Sequence, residues 1–179
     1  MSTESLTFAT RPVSRWVNGA GRKADIDSSQ DWMVGFAWLD ADAPFSDFSG
    51  QDRTITLLEG PGFTLDFVPP HPPLVVRSRH VPAAFDGGWP TSCRIVEPCL
   101  VLNAMSVRSQ WRHDVRILTT RTELPAQPPD TVGFLVDLTT RDALRLDGPT
   151  ETAGLPAAYI LFTPAVGAAG LPVRHRTAI

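Results

Sequence analysis

Short runs of alternating apolar and polar residues, each closed by a turn former, dominate the chain. Phe63, Leu65 and Phe67 alternate with Thr64 and Asp66, the period of a half-buried strand. Met33 to Leu39 is apolar on both sides. Val34, Phe36 and Trp38 share one face and Gly35, Ala37 and Leu39 the other, which predicts an interior strand. Cys99, Val101, Asn103, Met105 and Val107 are in phase, with Asn103 the polar exception. Arg53, Ile55, Leu57 and Glu59 also share one parity, and Phe63–Phe67 is expected to be the hairpin partner of that strand across Pro61-Gly62. Further strands are predicted within 1–15 and at 74–77, 92–96, 113–119, 132–138, 143–146 and 158–163. Residues 26–30 read as turn-like, 81–90 as loop, and 123–130 as a proline-rich connection.

The 17 prolines and 13 glycines interrupt nearly every apolar run, so no long helix is expected. About ten short strands without an amphipathic helix argue an all-β sandwich or barrel. A chain of 179 residues suits a single domain able to bury its own core. With 16 basic and 19 acidic residues, no nucleic-acid partner is expected. No apolar run is long enough to cross a membrane, and the start of the chain lacks a secretory leader, so a cytoplasmic protein is expected. Cys93 and Cys99 read as small core residues rather than as a disulfide or a reactive thiol.

One residue breaks the apolar logic. Arg53 is in phase with two core aliphatics, and a buried guanidinium needs an anion or a hydrogen-bonded partner. Glu59, on the same parity, would make that partner an internal ion pair; a bound carboxylate is the other possibility.

The motifs Trp16-x-Asn18-Gly19-x-Gly21, Phe45-Ser46-x-Phe48-x-Gly50-x-Asp52-Arg53, Leu57-Leu58-Glu59-Gly60, Phe85-x-Gly87 and Leu102-Asn103-x-Met105 resemble those of the HutD/Ves family. Ala20 and Lys23 stand where the family often has a glycine and a threonine. The resemblance covers residues 10–115, with 116–165 following by strand order and 166–179 as a tail. It implies a cupin-type antiparallel β-barrel in a compact bicupin arrangement, one HutD-like domain over 1–179. It also implies a small-metabolite binder that limits expression of histidine-utilisation enzymes.

The candidate ligand site combines Asn18, Gly19, Gly21, Trp38, Phe45, Ser46, Arg53, Asn103 and Met105. Arg53 offers a bidentate fork, the two asparagines offer amides, and the glycine turn offers backbone N–H groups to an anion. The expected guest is a small carboxylate of the urocanate or formyl-glutamate type. No cofactor or metal is expected, because His71, His80, His113 and His175 form no HxH pair. An isomerase or hydrolase using Glu59 or His113 as base is the enzymatic alternative, with Asp52 and Asp66 as further carboxylates. A protein–protein module presenting residues 69–73 with Phe85 and Trp89 is the third reading, and homodimerisation through a sheet edge is a possibility.

Overall fold

The computed structural model describes residues 4–16 and 18–165. His175 and the predicted tail lie outside them. The strands run β1 (Glu4–Leu6), β2 (Ser14–Arg15), β3 (Gly21–Ser28), β4 (Trp32–Leu39), β5 (Ala43–Pro44), β6 (Gln51–Glu59), β7 (Phe63–Phe67), β8 (Leu74–Val76) and β9 (Pro82–Asp86). They continue with β10 (Thr91–Ile95), β11 (Cys99–Val107), β12 (Trp111–Leu118), β13 (Glu123–Leu124), β14 (Val132–Asp137), β15 (Ala143–Leu146), β16 (Thr150–Glu151) and β17 (Ala157–Pro164). A 3-10 turn, Phe8–Thr10, is the helical element among the described residues.

The organising layer is a six-stranded antiparallel sheet in the order β2-β3-β4-β11-β6-β9. Both of its faces are covered. A five-stranded sheet, β1-β15-β14-β17-β12, packs on one face through Trp32, Val34, Phe36, Leu102, Phe134, Ile160 and Phe162. A four-stranded sheet, β5-β10-β7-β8, packs on the other through Leu39, Ile55, Leu57, Leu65, Phe67, Cys93 and Val101. This double coverage explains why β4 and β11 are apolar on alternate positions of both parities. Among the described residues each sheet is open, with two edge strands, and no ladder closes it into the expected barrel.

Three local expectations are corrected. β6 pairs with β11 and β9, whereas β7 pairs with β10 and β8 in the other sheet, so the two are not hairpin partners. Gly60 and Gly62, at φ +97° and +105°, allow the chain to leave one sheet and enter the next. Residues 26–28 continue β3, and Pro82–Asp86 forms the edge strand β9 rather than loop. The polar alternation of these two segments conceals strands that bury only part of their surface.

Candidate functional site

Arg53 lies in β6 opposite Met105 of β11 and Phe85 of β9, so the three share one face of the central sheet. Only 7% of the arginine is exposed. Three rings surround its guanidinium: the Cζ atom is 4.8 Å from the centroid of Phe45, 5.1 Å from Phe85 and 5.3 Å from Phe48. Phe45 and Phe48 come from the loop before β6, which is pinned in place. Phe45 N donates to Thr91 O at 2.9 Å, Phe48 N to Gly87 O at 3.0 Å, and Asp47 Oδ1 accepts from Ser49 N at 2.8 Å.

No carboxylate reaches this cation among the described residues, and Arg53 Nε is buried without a hydrogen-bond partner. Burial lowers the Arg53 pKa to about 10, which leaves it charged at neutral pH. Glu59, the predicted ion-pair partner, points elsewhere. A bulge shifts the register so that Leu57 faces Val101 but Glu59 faces Leu100. The extra residue turns Glu59 off the Arg53 face, and it pairs with Arg141 at the surface.

Arg53 opens onto a cavity of about 670 Å³ that Asn18, Phe45, Ser46, Asn103 and Met105 also line. Asn103 is 7% exposed, and its Oδ1 has no donor among the described residues. Asn18 sits at the rim, accepting from Ala20 N at 3.1 Å through Oδ1.

Three predicted residues fall outside this lining. Trp38 points to the opposite face, over Arg22 and against Phe8, because it has the parity of Phe36. Gly19 spends its N–H on Trp16 O at 3.0 Å, so the turn presents no free donor there. Gly21 serves packing: a Cβ there would lie 2.8 Å from the Trp16 ring. Trp16 itself lines the cavity and meets Phe45 edge-on at 6.1 Å.

The alternative acid/base residues are not at this site. His113 lies in the five-stranded sheet, with Nε2 2.9 Å from Thr54 Oγ1 and Nδ1 2.8 Å from Ser106 Oγ, behind the cavity floor. Asp52 and Asp66 pair with Arg108 and Arg94. Cys93 and Cys99 are free and buried, and burial pushes the Cys93 thiol up to about 12. His71 stacks on Trp89 at 3.8 Å, away from the lining residues. Among the described residues no three His, Cys, Asp or Glu side chains converge as a metal site would require.

Sequence reasoning missed Asp25, Lys23 and Gly35, which also line the cavity. A bulge in β3 pairs Asp25 with Gly35 and Asp27 with Val34, so two acids of equal parity leave on opposite faces. Arg11 clamps the bulge, its Nη1 donating to Asp25 O at 2.9 Å and Ile26 O at 3.0 Å. The polarity of residues 22–28 is the one signal that marked them.

Fold and cavity together define an all-β, cupin-like protein with a buried arginine on the wall of its cavity. The sequence model of HutD matches residues 8–165, and the chain belongs to the HutD/Ves family. It is similar to protein Ves of Citrobacter koseri, 32% identical over 122 residues, a match spanning 64% of this chain and 63% of that protein. HutD from Pseudomonas fluorescens SBW25 superimposes with a TM-score of 0.77 at 22% identity, covering 92% of this chain and all of that one. A conserved protein of unknown function from Pseudomonas aeruginosa PAO1 gives a TM-score of 0.72 at 20% identity, over 90% of this chain and 98% of its own. No helix among the described residues is long and apolar enough to cross a membrane.

Proposed function

We propose that the protein binds a small carboxylated metabolite of the urocanate or formyl-glutamate type, without a metal, inside one HutD-like bicupin domain. Its binding would serve regulation of histidine utilisation, or of a related stress response, in the cytoplasm.

One observation carries this reading: the Arg53 guanidinium is buried among Phe45, Phe48 and Phe85 with no acid of the described residues paired to it. A charge kept there costs stability unless something negative joins it. A carboxylate fits the planar fork, and the aromatic wall strengthens the attraction by excluding water. The metal-free part accords with the lack of three converging His, Cys, Asp or Glu side chains among the described residues, and family membership supports the regulatory part. The isomerase or hydrolase alternative loses Glu59 and His113, which lie off the cavity.

Thermal shift and calorimetry with urocanate and N-formyl-glutamate test the reading. A ligand at about 100 times its Kd should stabilise the protein by about 2.7 kcal/mol. The stabilisation should vanish in Arg53→Met. Absence of any shift with either acid, or an undiminished shift in the variant, overturns the proposal.

A further inference from the structure

Arg53 explains how an anion would be held, but it leaves two acceptors in the same cavity unexplained. Ile55, Asn103, Gly35 and Asp25 form one continuous row across β6, β11, β4 and β3, each directly opposite the next. Residues so paired share a face, and Asn103, Gly35 and Asp25 all line the cavity. Two strand spacings separate Asn103 from Asp25, about 10 Å between their backbones.

Between them stands the smallest residue. A Cβ on Gly35 would lie 2.9 Å from Ala24 O and 3.0 Å from the Asp25 Cα. The glycine therefore lets the β3 backbone close on β4 and brings Asp25 Oδ1 to 3.4 Å from that point, on the row that leads to Asn103. Asn103 is more than nine-tenths buried, and its carbonyl oxygen has no donor among the described residues. An acceptor left in that state costs about 1–3 kcal/mol unless a donor arrives. Asp25 keeps the parity of Gly21 and Lys23, which sets it on the cavity face opposite Gly35, partly exposed and with Lys23 Nζ 2.9 Å from its Oδ2. Lys23 balances the charge, but a carboxylate has more lone pairs than one ammonium uses.

We propose that Asn103 and Asp25 form a second recognition point that requires a hydrogen-bond donor on the ligand. The guest is then a carboxylate that also carries an N–H or O–H group, reaching toward Asn103 and Asp25 with its anionic end at Arg53. This rests on the reading of Arg53 as an anion anchor. A simple aliphatic or aromatic acid would satisfy Arg53 yet leave Asn103 Oδ1 bare, and should bind poorly for that reason.

A matched pair of five-membered-ring acids tests this: pyrazole-4-acetate, with a neutral ring N–H, and thiophene-3-acetate, without one. Both are titrated calorimetrically into the full chain, into Asn103→Leu and into Asp25→Ala. The wild type should favour the pyrazole acid by about tenfold or more, the size of one well-made buried hydrogen bond. Each variant should shrink that ratio to about threefold or less while holding the thiophene acid as before. Retained affinity for the thiophene acid shows that a variant has folded. Equal affinity of the wild type for both acids, or a preference that survives both substitutions, overturns the second recognition point and leaves the Arg53 reading standing. Binding of neither acid overturns both.

Discussion

Thr54 Oγ1 lies 2.9 Å from His113 Nε2, and that contact joins two sheets directly behind the candidate site. Ser106 Oγ meets the other ring nitrogen at 2.8 Å. Thr54 follows Arg53 in β6 and Ser106 follows Met105 in β11, so each hydroxyl is the reverse side of a cavity residue. A neutral imidazole has one donor and one acceptor, and two hydroxyls satisfy both in either tautomer. The polar cluster is thus complete at a place where Phe162, 5.8 Å from the imidazole, begins the apolar core.

This bolt should make stability fall in acid. Burial lowers the His113 pKa, against the opposing charges of Asp52 and Asp114. The unfolded chain takes up its proton at the ordinary value, about 6.5, while the folded chain resists until lower pH. The contribution is therefore full above that value and is lost progressively as pH falls below it. Urea unfolding at pH 7 and pH 5 should show a smaller drop for His113→Gln than for the wild type. An equal drop would place the acid sensitivity elsewhere.

Arg53→Met should separate function from stability. Burial brings the Arg53 pKa down from the ordinary guanidinium value to about 10. That difference corresponds to about 3 kcal/mol of unfavourable charge burial, fully present at neutral pH because both values lie above it. Three ring contacts at about 0.5–2 kcal/mol each oppose it. The terms nearly cancel, so the ligand-free variant should unfold within about 1.5 kcal/mol of the wild type. A loss of 3 kcal/mol or more would reveal a partner that holds the guanidinium without ligand.

Alternation of residue types was enough to find β4, β6, β7 and β11, because these strands are buried on both faces or cleanly on one. The family motifs, not alternation, grouped Arg53, Asn103 and Met105; the β6–β11 register sets Met105 opposite Arg53 and Asn103 opposite Ile55, on one face. Alternation failed where a bulge changes parity. Glu59 and Asp27 each sit just past such a point, and each faces the opposite way from what an unbroken count gives. Trp38 shows a different error: its parity was read correctly, but the site was placed on its face without knowing which face carries the cavity. Strand order, which separates β7 from β6, depends on long-range packing that local pattern does not record.

The second acid at the β3 bulge yields a stability prediction. Asp27 leaves on the face away from the cavity and meets Arg145 of β15, Nη1 to Oδ2 at 2.6 Å. Both side chains are about three-quarters buried, at 27% and 24% exposure. Removing one partner strands the other, so Asp27→Asn and Arg145→Met should each cost about 1–3 kcal/mol. The double variant should cost less than the two together, by more than about 0.5 kcal/mol. Additive losses would mean that the pair does not couple the sheets.

The passage from the central sheet to the four-stranded sheet makes the sharpest backbone prediction. Gly62 holds φ +105°, and a Cβ there would lie 2.2 Å from Val76 O. That oxygen belongs to β8, paired to β7 through Phe63 and Val76, so it cannot move away without breaking the ladder. Gly148 is the contrast: its backbone lies outside the left-handed region and nothing stands within 4 Å of an added Cβ. Alanine at an unstrained site stabilises by about 0.4–1 kcal/mol through the unfolded chain, and at a strained one costs more than that. Gly148→Ala should therefore be neutral to slightly stabilising, whereas Gly62→Ala should lose about 3 kcal/mol or more, combining strain with the clash. Calorimetric melting of the two variants decides it, and similar melting temperatures would mean that the crossing between the sheets is not held as tightly as Gly62 implies.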